Sequence, residues 1–137
     1  MVTPCGRMMR CSATLDALFG MHDFRKLRVW QLSRELAVAV DRTSRAFPRA
    51  DQGVMRSQLR RATISIPANI AEGCGKSSRR ETIRYFQIAA GSATEVENHL
   101  LLAGDFGYLT TASRDELIEQ LKFIQRMLFK LMKNLPQ

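Results

Sequence analysis

Apolar residues recur along this chain at steps of three and four, the spacing that lines one face of a helix. Between Phe24 and Phe47 the stripe is Val29, Leu32, Leu36, Val40, Thr43 and Phe47, which predicts a first helix with Asp23 as its N-cap. Phe47-Pro48 ends it, because the proline ring disfavours helical geometry at the residue before it and cannot continue the hydrogen-bond ladder. A second helix is predicted from about Asp51 to Gly73, with Met55, Leu59, Ala62, Ile66 and Ile70 on one stripe. Pro67 lies inside it, and a missing amide in a helix interior costs about 3 kcal/mol, so one helix kinked at "SIPAN" is expected. Ser78-x-x-Glu81 is a capping box that opens a third helix. Its inner face reads Ile83, Phe86, Ala90, Ala93, Leu100 and Leu101, and the small run "AAGSA" at 89–93 lets a neighbouring helix approach closely. "GDFGYL" at 104–109 breaks the pattern. Ser113-x-x-Glu116 is a second capping box, followed by Leu117, Leu121, Ile124, Leu128, Leu131 and Leu135. The acids Asp115, Glu116 and Glu119 come early in this helix and the bases Lys122, Arg126, Lys130 and Lys133 late, as the helix dipole favours.

Four helices with short joins predict an all-α fold, an antiparallel up-down-up-down four-helix bundle without crossover connections. At 137 residues one core is expected, with the bundle domain over 22–137 and residues 1–21 as a flexible N-terminal extension. That extension is read as functionally silent, either an unstructured arm or the product of an upstream start. The cysteines Cys5, Cys11 and Cys74 form an odd set without a Cys-x-x-Cys spacing, which supports neither a disulfide framework nor a structural zinc site and fits a reducing cytoplasm. The first twenty residues lack the apolar core of a signal peptide, and no window reaches the roughly 18 apolar residues of a membrane span.

The stretch "ANIAEGCGKSS" at 68–78 ends like a phosphate-binding loop, in Gly75-Lys76-Ser77. Such a loop needs an earlier glycine five residues before Gly75, where this chain has Ile70, and a preceding buried strand, which "ATISIPANIAEG" does not resemble. The residues read instead as a helix C-cap at Gly73, a turn at Gly75 and an N-cap at Ser78. Di-iron chemistry in a bundle requires two Glu-x-x-His motifs, and none is present; Glu95 and His99 share only an i, i+4 spacing. The serines lack a poised histidine and Cys74 an obvious base, so no nucleophile stands out and neither enzyme activity, cofactor nor metal is expected.

Glu97 falls on the apolar stripe of the third helix, where a carboxylate needs a partner. Gln58, Arg61, Ser65, Asn69 and Glu72 form a polar stripe on the second helix, and Arg61 or Asn69 is the expected contact, between helices or between subunits. The net charge is +8, from 21 basic and 13 acidic residues. The surplus is uneven: residues 23–49 hold seven bases against three acids, beginning with "FRKLR", the second helix adds "QLRRA", and Lys76, Arg79 and Arg80 follow at its end. A face of this kind attracts a polyanion by neutralising phosphates and releasing counterions, and is less suited to a membrane surface because the basic helices need their apolar faces for a core.

The strings "DFRKLRVWQLSRELAVAVDRTSRAFP", "QLRRATISIPANIAEGCGKSSRRE" and "IAAGSATEVENHLLLAGDFGYL" resemble the four-helix bundle family named for bacterial 23S rRNA intervening sequences, over residues 23–135. "SIPANIAEG" is the most specific part. The resemblance implies a small cytoplasmic bundle that assembles into a homopentameric ring with a basic surface, similar to accessory variability determinant proteins that bind nucleic acid and partner a reverse transcriptase. Arg60, Arg61, Asn69, Glu72, Glu95 and Glu97 occupy family-typical positions, for which it implies assembly or nucleic-acid roles. Asp41 departs from the pattern, standing where an aromatic is usual, as do Val54 and Met55 after Gly53; the first twenty residues have no counterpart. The reading that results is a non-enzymatic, oligomeric bundle binding nucleic acid, RNA preferred, through Arg25, Lys26, Arg28, Arg60, Arg61, Lys76, Arg79 and Arg80. Asn69, Glu72, Glu95 and Glu97 are candidates for polar contacts in folding or assembly. The alternative is a scaffold docking an acidic protein, a reverse transcriptase for example, without touching nucleic acid.

Overall fold

The computed structural model describes residues 23–136; the extension over 1–21, with Cys5 and Cys11, and His22 lie outside them. Asp23 accepts the Arg25 amide at 3.2 Å, but the element it caps is a 3-10 turn, Phe24–Lys26, and not the long helix expected from Phe24. The long helix, α1 (Arg28–Ser44), starts after extended Leu27 and buries Val29, Ser33, Leu36, Val40 and Ser44. Its inward face is therefore turned by one position from the expected Leu32 and Thr43, which are half-buried. The two serines tolerate this because each hydroxyl donates within its own helix, Ser33 to the Trp30 carbonyl at 2.8 Å and Ser44 to that of Asp41 at 3.2 Å, and a hydroxyl so satisfied is cheap to bury.

After Phe47-Pro48 one helical turn, Arg49–Asp51, and a π turn, Gln52–Arg56, lead directly into α2 (Ser57–Cys74). The Gln52 side-chain amide reaches back to the carbonyls of Phe47 at 2.7 Å and Arg45 at 3.2 Å, supplying donors that the end of α1 lacks. α2 buries Leu59, Ala62, Ile66 and Ile70 as expected and runs through Pro67 as one helix. Gly73, expected as its cap, lies inside the last turn; the cap is Gly75, in right-handed geometry. What Gly73 requires is space: a Cβ there would stand 2.9 Å from Phe86 Cε1 and 3.1 Å from Tyr85 Cβ.

α3 (Arg79–Asp105) opens on Ser78, whose hydroxyl accepts the Glu81 amide at 3.3 Å and donates to the Glu81 carboxylate at 3.2 Å. Its buried face is Thr82, Phe86, Ala89, Ala93, Val96, Leu100 and Ala103, so the expected Ile83 and Ala90 are only half-buried and Leu101 is exposed. The small residues do bring α2 and α3 together: Ala89 and Ala93 are fully buried, and Ser92 meets Ser65 of α2, Oγ to Oγ, at 2.8 Å. α3 ends in a Schellman turn, with the Tyr108 amide on the Ala103 carbonyl at 2.9 Å and the Gly107 amide on that of Gly104 at 3.0 Å. Gly107 supplies the required left-handed residue at φ 77°. α4 (Thr111–Asn134) is capped by Thr110, which accepts the Ser113 amide at 3.1 Å, and not by Ser113 itself. Leu117, Leu121, Ile124 and Leu128 form its buried face, with Leu135 buried just beyond it.

All regular structure among the described residues is thus helical, in four long helices with no strand. Each helix packs on its chain neighbours, and α1 packs on α4. The Tyr108 hydroxyl donates to the Asp51 carboxylate and its ring lies 5.4 Å from Phe47, tying the first join to the third. Arg79 Nε donates to the Leu135 carbonyl at 3.3 Å, tying the start of α3 to the end of α4. No helix among the described residues is long and apolar enough to cross a membrane.

Gly73 and Gly91, in the α2–α3 pair, make opposite predictions. Gly91 is exposed, with no atom within 4 Å of the point where a Cβ would stand, so Gly91→Ala is expected to stabilise by about 0.5–1 kcal/mol through helix propensity alone. Gly73→Ala makes the same gain but overpacks against Phe86 and the backbone-fixed Tyr85 Cβ, for a net loss of about 1–2 kcal/mol. Urea melts of both variants check the contrast, and equal behaviour would refute the close-contact account of Gly73.

Candidate nucleic-acid interface

Among the described residues, three arginines gather on one carboxylate. Asp41, on α1, is held by Arg45 just past the end of that helix at 2.9 Å and by Arg56 and Arg60 of the second helical segment at 3.0 and 2.9 Å. Arg56, about four-fifths covered, also donates from Nε to the Ser44 hydroxyl at 3.2 Å. Partial burial pushes the Asp41 pKa up, but the Arg45 hydrogen bond and the charges of Arg45, Arg60 and Arg56 outweigh it and hold the carboxyl below the usual aspartate range.

The eight cations expected to meet phosphate divide by what already holds them. Arg25 pairs with Asp23 at 2.7 Å and Arg60 with Asp41. Lys76 is no free cation: Glu72 lies 3.3 Å away and the Tyr85 ring centroid 4.9 Å away, and the Glu72 hydrogen bond holds its ammonium above the ordinary lysine range. Arg79 is half-buried and donates to the Leu135 carbonyl. Lys26, Arg28, Arg61 and Arg80 are exposed, and none has an ion pair among the described residues.

The polar candidates are all engaged within the chain. Glu97 meets Lys122 of α4 at 2.9 Å, so its partner is neither Arg61 nor Asn69; the Lys122 end of the pair is about half exposed, and solvent screening there limits its worth to about 0–1 kcal/mol. Asn69 donates to the Ser65 carbonyl and hydroxyl at 2.8 and 2.9 Å. Glu72 is taken by Lys76, and Glu95 by His99 at 3.3 Å. Two amides of the supposed phosphate loop are already used: Gly75 donates to the Glu72 carbonyl at 3.1 Å and Lys76 to that of Gly73 at 3.2 Å, so neither is aimed at an anion. Burial pushes the Cys74 thiol up to about 11, which keeps it protonated at neutral pH and poor as a nucleophile.

Two grooves flank α1. One of about 460 Å³, on the α2 side, is lined by Trp30, Arg34, Val38, Arg42, Arg45, Arg60, Ile64 and Pro67 around Asp41. The other, about 540 Å³ on the α4 side, is lined by Leu32, Glu35, Ala39, Glu116, Glu119, Gln120 and Phe123 beside Arg126. Arg34, Arg42 and Arg45 entered the sequence reading only through the charge sum. The signal that could have singled them out is their recurrence at steps of eight and three beside Val38, which sets them on one outer strip of α1.

Over the described residues, fold and surface together define an all-helical, four-helix frame carrying free cations on its exterior. The family described as 23S rRNA-intervening sequence protein matches residues 25–130, and the chain belongs to that family. It is similar to a solved structure described as a protein with unknown function from the S23 ribosomal protein family of Bacteroides thetaiotaomicron VPI-5482, at 30% identity and a TM-score of 0.71, covering 77% of this chain and 99% of that one. Among curated proteins no match was found.

Asp41 makes a charged tie between α1 and the second helical segment, and its stability contribution carries a definite pH sign. The folded pKa lies below the unfolded one, so the contribution is complete above the unfolded aspartate value, about 3.9, and is lost as pH falls through the lower folded value. Wild type and Asp41→Asn are expected to differ in Tm at neutral pH and to converge in strong acid. A difference that persists unchanged there would assign the effect to packing.

Proposed function

We propose that the chain is a non-enzymatic, self-associating four-helix bundle of the cytoplasm that holds nucleic acid, RNA by preference, through its backbone phosphates. An up-down-up-down order of the helices is supported by the Asp41–Arg56, Tyr108–Asp51 and Arg79–Leu135 contacts. That order sets the start of α1 beside the α2–α3 join, so six of the eight candidate cations share one end of the bundle, with Arg60 and Arg61 away from it.

The observation that carries the reading is the uncompensated charge at that end: Lys26, Arg28, Arg80 and Arg84 are exposed and have no ion pair among the described residues. Arg25, with a side chain 72% exposed, can exchange Asp23 for a phosphate at little cost. Such a surface neutralises phosphates in sequence-tolerant fashion, and released counterions make binding fall steeply with salt. Self-association, to a ring in the family resemblance, brings several such ends to one face and multiplies the attraction.

Labelled RNA and DNA titrated at two salt concentrations, on protein whose subunit count is fixed by light scattering, test the reading. Salt-sensitive binding is expected, tighter for RNA. Replacing Lys26, Arg28 and Arg80 together by alanine is expected to leave melting unchanged and to flatten the log K against log salt slope by about 0.7 for each phosphate that is no longer neutralised. Absence of binding at low salt would overturn the nucleic-acid reading in favour of a scaffold whose basic side docks an acidic protein such as a reverse transcriptase.

A further inference from the structure

We propose that the groove between α1 and α2 receives the α1–α4 face of a second copy of this chain. The inference rests on the self-association part of the function proposed above and names the two surfaces that would carry it.

The two faces are complementary in charge. On the α2 side Arg34 and Arg42 have no ion pair among the described residues, and the one carboxylate there, Asp41, is already neutralised by its own arginines. On the α4 side Glu35, Glu116 and Glu119 are exposed and equally unpaired, and the one base, Arg126, stacks 5.7 Å over Phe123. Each face also exposes apolar surface beside those charges: Val38 at 45% and Ile64 at 52% on one, Phe123 at 48% on the other. Phosphates bound in the basic groove would leave the two aliphatic side chains in water, whereas a protein face bearing Phe123 covers them, giving the apolar centre and charged rim of a specific interface.

Because the two patches differ, the contact is heterologous and propagates from copy to copy, closing into a ring when the rotation permits. Both patches flank the same helix. Successive copies joined through them would turn toward α1, which would form the inner wall while the basic end stays open on the rim.

Full-length protein and two charge-reversed forms, R34E/R42E and E116R/E119R, are compared by size-exclusion chromatography with light scattering, with helicity checked by circular dichroism. Wild type is expected to form a multiple of 15.6 kDa, and each variant to fall to the monomer mass while staying helical. Mixing the two variants should restore association between unlike copies, since a reversed patch on one then meets its opposite on the other, although a closed ring of odd subunit number would keep one mismatched junction. E116Q/E119Q, which removes the two charges without adding new ones to α4, is run beside the reversal and is expected to weaken assembly without touching the fold. An assembled wild type whose mass none of these changes alters overturns this interface and leaves self-association standing. Failure of the folded variants to co-assemble also overturns it. A monomeric wild type overturns self-association itself, and with it the interface, while leaving nucleic-acid binding at the basic end as a separate measurement.

Discussion

Gly73 and Phe86 touch because one of them has no side chain, and most of the arrangement downstream follows from that contact. The ring of Phe86 is fully buried against the last turn of α2 at a distance where a Cβ would not fit. Four residues toward the chain start, the Thr82 hydroxyl donates to the Gly73 carbonyl at 3.1 Å, so the two helices are locked by shape and by a directed bond at the same point. Farther along, Ser65 and Ser92 continue the seam with a hydroxyl pair, and Ala89 and Ala93 keep it narrow. Close packing of this kind gains dispersion contacts that one extra methylene would forfeit. It also sets where α3 begins, and so where Arg79 meets the end of α4 and Arg80 turns to solvent.

On the other side of α2 the tie is electrostatic. A carboxylate surrounded by three guanidinium groups uses part of the chain's positive surplus internally, and the short π turn before α2 places Arg56 deep enough to reach both Asp41 and Ser44. The net charge of +8 therefore does not count the cations available to a partner and says nothing about where they lie. What remains after internal pairing is a set of free cations that includes Lys26, Arg28 and Arg80, a basic groove and an acidic groove, a distribution that neither composition nor the sum over residues 23–49 discloses.

The helices were legible because their strongest signals are local: Ser78 with Glu81, the stripe from Leu117 to Leu128, and the stop at Phe47-Pro48 all act within a few residues. The misplacements share a cause, which is that the deciding partner lies elsewhere in the chain or in a bond that hydropathy does not register. Ser33 and Ser44 face inward because their own backbone satisfies them, so the polar label misassigned the α1 face by one position. Gly73 has the residue type of a cap, yet Phe86 explains it. Thr110 and Ser113 both suit an N-cap, and the choice falls to Thr110 because the Schellman turn at Gly107 ends α3 early enough for α4 to start there. The site was less legible still: which of the arginines are free depends on Asp41 and Leu135, far away in sequence.

Copies of a chain carrying +8 repel one another wherever their basic ends approach within a screening length, roughly 8–10 Å at physiological salt. Opposite charges on the lateral faces, as proposed, draw the copies together but leave that repulsion at the rim in place. A polyanion laid across the rim removes it, so phosphate binding and assembly would favour each other by linkage, without any change of shape in the subunit. On this reading the division of charge has a physical reason: lateral pairs that match within the protein fix how copies meet, and an end that has no match within the protein makes the finished assembly depend on something negative from outside.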